Sequence, residues 1–244
     1  MTPSPMGHLL GREKLLVKLE DAVLRGDQVL LLGPLGIGKT SVLLDIARRM
    51  AARNVPCGLS SDTRSLGDVT AALSSAFSGS RPLPRTQRHL RSQLRLAIEA
   101  RLGVLLLDHV TTATAPMKGF LRSLRGKRLG VVLAADIENR RDHAAVREMH
   151  LTHVEIVVPP LARRLMTALL RDLLAGSAIP SVLIDDDRQR LLQFSRGSPG
   201  RLVMFADLLA DARFWRAGLV AMGSLNEAAS ELVLQRYLAR DASL

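Results

Sequence analysis

The sequence predicts a three-layer α/β sandwich around a parallel sheet, followed by a small all-helical domain. Three observations predict it. Short apolar runs alternate with amphipathic stretches as far as Pro160. A glycine-rich turn joins one such run to a helix, and the strand signal disappears after Pro160.

Each element follows in order. Glu13–Arg25 places Leu15, Leu16, Leu19, Ala22, Val23 and Leu24 at helical spacing, and Gly26-Asp27 breaks the helix. Gln28–Leu32 is a short strand, apolar in all but its first residue, as burial on both faces requires. The glycine-rich turn follows, then a helix over Thr40–Ala52. Pro56–Ser60 reads as a strand and Leu66–Phe77 as a helix. Ser78–Pro84 is a loop, and Thr86–Ala100 a helix. Val104–Leu107 is a buried strand ending in Asp108. Met117–Leu124 is a short helix, Gly130–Ala135 a third apolar strand, and Val154–Val158 a further strand stopped by Pro159-Pro160. Leu161–Leu174, Asp185–Phe194, Pro199–Leu209 and Asn226–Leu238 read as four helices. The expected divisions are a tail at 1–7, an α/β core at 8–160 and the helical domain at 161–244.

Composition narrows the class. With 244 residues, 47% apolar and 23% charged, the chain can bury a large core, which excludes disorder for most of its length. Apolar runs such as Val29–Leu32 fall far short of the roughly 18 residues of a membrane span. The first six residues show no basic and apolar leader pattern, so a reducing cytosol is the expected compartment. A lone cysteine, Cys57, excludes a disulfide framework and a multi-cysteine metal site, and is expected in the core. His150-x-x-His153 has metal-like spacing but no third ligand nearby.

The glycine-rich turn is Gly33-Pro-Leu-Gly-Ile-Gly38-Lys39-Thr40, a full G-x-x-x-x-G-K-[ST] motif with a strand before it and a helix after it. Gly33, Gly36 and Gly38 permit backbone angles that bring amide N–H groups onto phosphate oxygens. The following helix turns its N-terminal donors and dipole to the same anion. Lys39 neutralises the β- and γ-phosphates, and Thr40 offers a hydroxyl to Mg²⁺. Such a loop needs a second acidic site for the metal. Asp108, leaving an apolar strand, supplies it. The next residue is His109, whose imidazole can accept a proton near neutral pH.

In this order the motifs resemble an AAA+ or STAND-type P-loop ATPase module over residues 8–240. Leu9-Leu-Gly-Arg-Glu13 is similar to the Gly-Arg-Glu box that lies against adenine, which implies nucleotide contact at Gly11 and Arg12. Gly33–Thr40 resembles Walker A, with Ser41 beside it. Val104–Asp108 resembles Walker B. The family commonly places glutamate where His109 stands, so slow ATP hydrolysis is expected. Asp136 occupies the sensor 1 position, where Asn, Ser or Thr is usual. The helical tail resembles the AAA+ lid, and Ser195-Arg-Gly-Ser-Pro-Gly-Arg201 its sensor 2 segment. Arg201 is the implied nucleotide contact, with Arg196 competing. An arginine finger offered to a neighbouring subunit would come from Arg140, Arg141 or Arg147. The Gly-Arg-Glu entry, Ala-Ala-Asp strand and Pro-Pro-Leu lid entry are most similar to the branch of initiator, general-secretion and Mu-type transposition ATPases. The resemblance implies ATP and Mg²⁺ as cofactors, assembly into a homo-oligomeric ring or filament, and a partner enzyme or effector.

Charge adds a further expectation. The formal net charge is +11, and the segment from Arg81 to Arg128 holds eleven basic residues against only Glu99 and Asp108. Arg85 precedes or opens a predicted helix along which Arg88, Arg91 and Arg95 recur at spacings of three and four; Arg122, Arg125, Lys127 and Arg128 crowd the helix before the third apolar strand. A polyanion suits such a belt. Aromatic residues are 3% of the chain, too few for base stacking, so contact with duplex DNA through its phosphates is the expected mode. The alternatives are a solvated face, an acidic protein, or a STAND-type signalling switch that binds no DNA. No helix-turn-helix is evident, so sequence-specific reading is not expected.

Overall fold

The computed structural model describes residues 11–61, 63, 65–78, 87–110, 114–138, 144, 146, 154–176, 179 and 183–242, with side chains omitted at 87–90 and 237–242. The chain divides into two compact units: Met1–Pro34 with Lys39–Val158, and Leu35–Gly38 with Pro159–Leu244.

In the first unit the elements run α1 (Glu13–Leu24), β1 (Gln28–Gly33), α2 (Lys39–Ala52), β2 (Cys57–Ser60), α3 (Leu66–Ser78), α4 (Gln87–Ala100), β3 (Gly103–Leu107), α5 (Ala115–Ser123), β4 (Leu129–Asp136) and β5 (Val154–Val157). The strands form one parallel sheet in the order β2-β3-β4-β1-β5. Every residue of β3 and β4 is buried, which is why both read as uninterrupted apolar runs. The order places β4 between β1 and β3, so β1, β4 and β3 present their carboxyl ends side by side. Parallel sheets bind ligands at that edge, where the chain leaves each strand.

Packing of helices on the sheet depends on missing side chains. A Cβ on Gly130 would lie 2.7 Å from Val23 Cα, because α1 rests directly on β4. A Cβ on Gly58 would lie 2.8 Å from Leu73 Cα, where α3 crosses β2. On one face Leu73, Leu94, Ile98, Met117 and Leu121 close over Leu105, Leu107, Val131 and Leu133. Cys57 opens the edge strand β2 and is half-buried, not in the core as expected, yet desolvation of its thiol still pushes it up to about 12.

The second unit contains α6 (Arg163–Ala175), α7 (Asp185–Ser195), α8 (Pro199–Leu209) and α9 (Met222–Ala242). Phe205, Leu202, Leu209 and Leu225 are fully buried at its centre. The carboxylates Asp185, Asp186 and Asp187 occupy the first turn of α7, where they complement the helix dipole. Among its described residues this unit also holds strand. A short antiparallel pair, β6 (Trp215–Arg216) and β7 (Leu219–Val220), turns through Ala217 and Gly218, both at positive φ. Such a turn matches the twist of a two-residue hairpin.

Candidate nucleotide site

The phosphate loop leaves β1 at Gly33 and ends at Lys39, the first residue of α2. Gly36 and Gly38 stand at φ +77° and +100°, angles that a side chain would strain. The first turn of α2 carries no acidic residue of its own, which keeps the positive end of its dipole uncancelled from within the helix. Lys39 is almost wholly buried, and its Nζ donates to Gly33 O at 2.6 Å and Pro34 O at 3.0 Å. The ammonium is thereby held across the loop by the loop's own carbonyls. In the second unit, Gly200 N–H donates to Gly36 O at 2.8 Å. A Cβ on Gly200 would sit 2.7 Å from Gly36 Cα, so glycine is required for that approach.

Thr40 Oγ1 donates to Asp108 Oδ2 at 2.6 Å. The start of α2 is thus tied to the end of β3 across 68 residues of sequence. Asp108 is 2% exposed. Its other oxygen, Oδ1, accepts from the His109 backbone N–H at 2.9 Å.

His109 is the extra residue of a bulge. Val104 and Asp108 N–H groups point to β2, donating to Pro56 O and Ser60 O. A regular ladder would next turn His109 N–H toward β4, yet Val110 N–H reaches Ala134 O instead, at 3.0 Å. His109 takes φ +51°, and its Nε2 comes to 3.5 Å from Asp108 Oδ2. The imidazole is 38% exposed. The bulge therefore aims a partly solvated base beside the buried carboxylate.

Asp136 ends β4 opposite Gly33 and is also buried. Its Oδ1 accepts from Glu138 N–H at 3.0 Å, an Asx turn that fixes the carboxylate at the strand exit. The structure thus brings Gly33, Lys39, Thr40, Asp108, His109 and Asp136 to one edge of the sheet. Ser41 follows Thr40, exposed on α2.

Other expected site residues lie in different surroundings. Gly11 takes φ +78° before Arg12, which is 2% exposed; burial lowers the pKa of that guanidinium. Arg201 Nη2 donates to Asn226 Oδ1 at 3.1 Å, and its guanidinium lies over Phe205, 5.9 Å from the ring centre. Arg196 is exposed, in the left-handed conformation that ends α7. Arg85, Arg140, Arg141, Arg147, His150 and His153, and the side chain of Arg88, lie outside what is described. Among the described residues no group of three or more His, Cys, Asp or Glu could hold a metal ion. No described helix is long and apolar enough to cross a membrane.

The rest of the basic belt sits elsewhere. Gly103 and Leu129 open β3 and β4 in register, so Arg122, Arg125, Lys127 and Arg128 cluster at the amino edge of the sheet. The eight residues of β4 separate that edge from Asp136 by about 25 Å. Arg91 and Arg95 are exposed on α4.

One cluster had no sequence signal beyond its charges. Arg49 on α2 donates to Glu13 at 2.8 Å, to Glu20 at 3.1 Å and to Asp45 at 3.1 Å, and Arg53 meets Glu20 at 2.6 Å. Hydrogen bonding to Glu13, ahead of the other partners, raises the Arg49 pKa. Glu13 of the Gly-Arg-Glu box therefore clamps α1 to the helix that follows the phosphate loop.

The two findings together, a β2-β3-β4-β1-β5 parallel sheet and a glycine loop tied to Asp108, are those of a P-loop ATPase fold. Solved structures agree. The chain is similar to the Walker-type ATPase PABY2304 of Pyrococcus abyssi, with TM-score 0.62 and 17% identity over 96% of this chain and 76% of that one. It is similar to the Aeropyrum pernix Orc1 protein, solved in complex with DNA, with TM-score 0.53 and 17% identity over 93% and 66%. A structure describing katanin self-assembly matches with TM-score 0.52 and 19% identity over 93% and 82%. No protein-family model and no curated protein matches the sequence.

Proposed function

We propose that this chain is an AAA+ ATPase that works as an ATP-dependent, self-assembling switch on duplex DNA and engages a partner enzyme. The observation that carries the reading is the 2.6 Å Thr40–Asp108 hydrogen bond beside the Lys39-braced loop. Those residues fit a magnesium nucleotide: glycines at positive φ open the backbone, a buried lysine lies across the loop, and a hydroxyl and carboxylate converge at its end. Thr40 and Asp108 would hold Mg²⁺, which supplies charge neutralisation for the phosphates. Lys39 orients the phosphate chain. His109 is the acceptor for the proton of an attacking water, and Asp136 fixes the polar lining beside Gly33.

Slow turnover follows from His109. Its Nε2 lies 3.5 Å from Asp108 Oδ2, so the imidazole is held toward that carboxylate instead of being free to be placed on an attacking water. Assembly and DNA contact are supported by the neighbours' descriptions and by exposed cations at the amino edge. Arg122 and Arg128 are exposed there with Arg125, able to meet phosphates without obstructing the nucleotide edge.

The test is calorimetry with MgATP, then fluorescence anisotropy of a labelled duplex with and without the nucleotide. The expected result is a heat of association lost in Lys39→Ala, with duplex binding that needs ATP. Arg122→Glu/Arg125→Glu should weaken duplex binding and lower the salt slope by about 2. Absence of any heat with adenine nucleotides would remove the reading at its root.

A further inference from the structure

Part of the basic belt does not look like a phosphate surface. Between α4 and α5 lies a groove of about 300 Å³. Leu94 and Ile98 form its floor and the half-buried Phe120 a wall; Arg91, Arg95 and Lys127 stand around the rim. Among the described residues, Glu99 is the carboxylate paired with this rim. It meets Lys127 at 2.5 Å and Arg95 at 3.5 Å, and hydrogen bonding to Lys127 lowers its pKa. The rim thus keeps an excess of positive charge over an apolar floor. A nucleic-acid backbone has phosphates for the rim but nothing apolar for the floor. An amphipathic acidic segment has both, in the arrangement by which helices dock into grooves.

We propose that the α4–α5 groove is the docking site for an acidic amphipathic helix of a partner protein. Its apolar residues lie against Leu94, Ile98 and Phe120, and its carboxylates pair with Arg91 and Arg95. This deepens the partner-engaging part of the function proposed above and divides the belt. Arg122, Arg125 and Arg128 face DNA, while Arg91, Arg95 and Lys127 face protein. The complementarity is chemical: apolar contact gives residence, and the rim cations give orientation and speed of encounter.

The experiment uses the full chain and two fluorescein-labelled peptides of equal composition. In one, leucines recur at i, i+3 and i+7 among glutamates; in the other the same residues are shuffled so that no face is apolar. A labelled duplex is the third probe. The amphipathic peptide is expected to bind about tenfold more tightly than the shuffled one. Arg91→Glu/Arg95→Glu should weaken peptide binding about tenfold, and both substitutions are at exposed positions where folding is not at stake. Phe120→Ser should weaken the peptide and leave the duplex unchanged, with circular dichroism showing that the fold persists. Arg122→Glu/Arg125→Glu should do the reverse, so failure of the DNA reading and failure of this one are separately visible. Equal binding of the two peptides, no binding of either, or loss of the duplex rather than the peptide in Arg91→Glu/Arg95→Glu would overturn the proposal.

Discussion

Thr40 Oγ1 and Asp108 Oδ2 are joined by a 2.6 Å hydrogen bond that ties the helix after the phosphate loop to the strand two places away in the sheet. A hydroxyl bound to a buried carboxylate is worth about 1.5–3 kcal/mol. The pair is also the oxygen set that would hold Mg²⁺. Thr40→Val keeps the shape and removes the hydroxyl. Calorimetry is expected to show MgATP affinity falling to the level measured with ATP in EDTA, because only the metal-dependent part is lost. A Thr40→Val protein that still gains affinity from Mg²⁺ would show that the hydroxyl is not a ligand.

His109 offers a gain-of-function prediction. The bulge aims its side chain outward beside Asp108; a glutamate there would be repelled by that carboxylate where the histidine leans on it, leaving its own carboxylate free to take a water proton. His109→Glu is expected to raise ATP turnover about a hundredfold, measured as phosphate release, with little change in nucleotide affinity. Unchanged turnover would place the rate limit outside the proton transfer.

Arg49 should matter for stability. Its removal leaves Glu20 and Asp45, both nearly buried, with Arg53 and Arg48 as their cationic partners among the described residues. Breaking a fully buried pair costs about 3–5 kcal/mol; with these remaining partners Arg49→Ala is expected to cost about 2 kcal/mol. Urea unfolding followed by far-ultraviolet circular dichroism reads this as a lower midpoint with unchanged slope.

Much of this was legible in residue order, and the physical reasons differ from element to element. β1, β3 and β4 are buried on both faces, so they stand out as apolar runs, and the glycine loop is a spacing that one chemistry demands. The β6–β7 hairpin was not legible: two residues per strand leave no alternation to read, although Ala217-Gly218 is a turn signal. The start of α9 at Met222 rather than Asn226 was hidden because Gly223 and Ser224 look like loop residues. The His109 bulge had no signal, since its φ is decided by which N–H reaches Ala134. Arg201 was read by its place after Gly-Ser-Pro-Gly. Its bond to Asn226 joins residues 25 apart, a separation no local pattern carries.

Cys57 links burial to pH. Its thiol is held up to about 12, against about 8.5 in an unfolded chain. Below the unfolded value both states keep the proton and the group is neutral to stability. Between the two values the unfolded chain releases its proton and the folded chain does not, so the folded state binds more protons and stability falls as pH rises. Cys57→Ala is expected to flatten the decline in urea midpoint from pH 9 upward, measured at a series of alkaline pH values. The raised pKa predicts that a thiol reagent modifies the half-buried Cys57 more slowly in buffer than in urea, because little thiolate is present in the folded chain. A slope identical in wild type and Cys57→Ala would mean that the thiol is reached by water before the chain unfolds.

The helical unit can be followed by itself. Trp215 is the chain's single tryptophan, and its Nε1 donates to Leu209 O at 2.8 Å. Its fluorescence therefore reports the end of α8 and the hairpin. Phe205 is fully buried on the same helix, among Leu202, Leu209 and Leu225. Phe205→Ala removes an aromatic ring from a closed core and is expected to cost about 3–5 kcal/mol. The tryptophan transition in urea should move to a lower midpoint. Gly130→Ala sets a Cβ against Val23 in the α/β unit, at a cost of about 1–3 kcal/mol. If the units unfold separately, it should shift the circular dichroism transition and leave the tryptophan transition in place. Coincident shifts by both probes in both variants would show that the two units unfold as one.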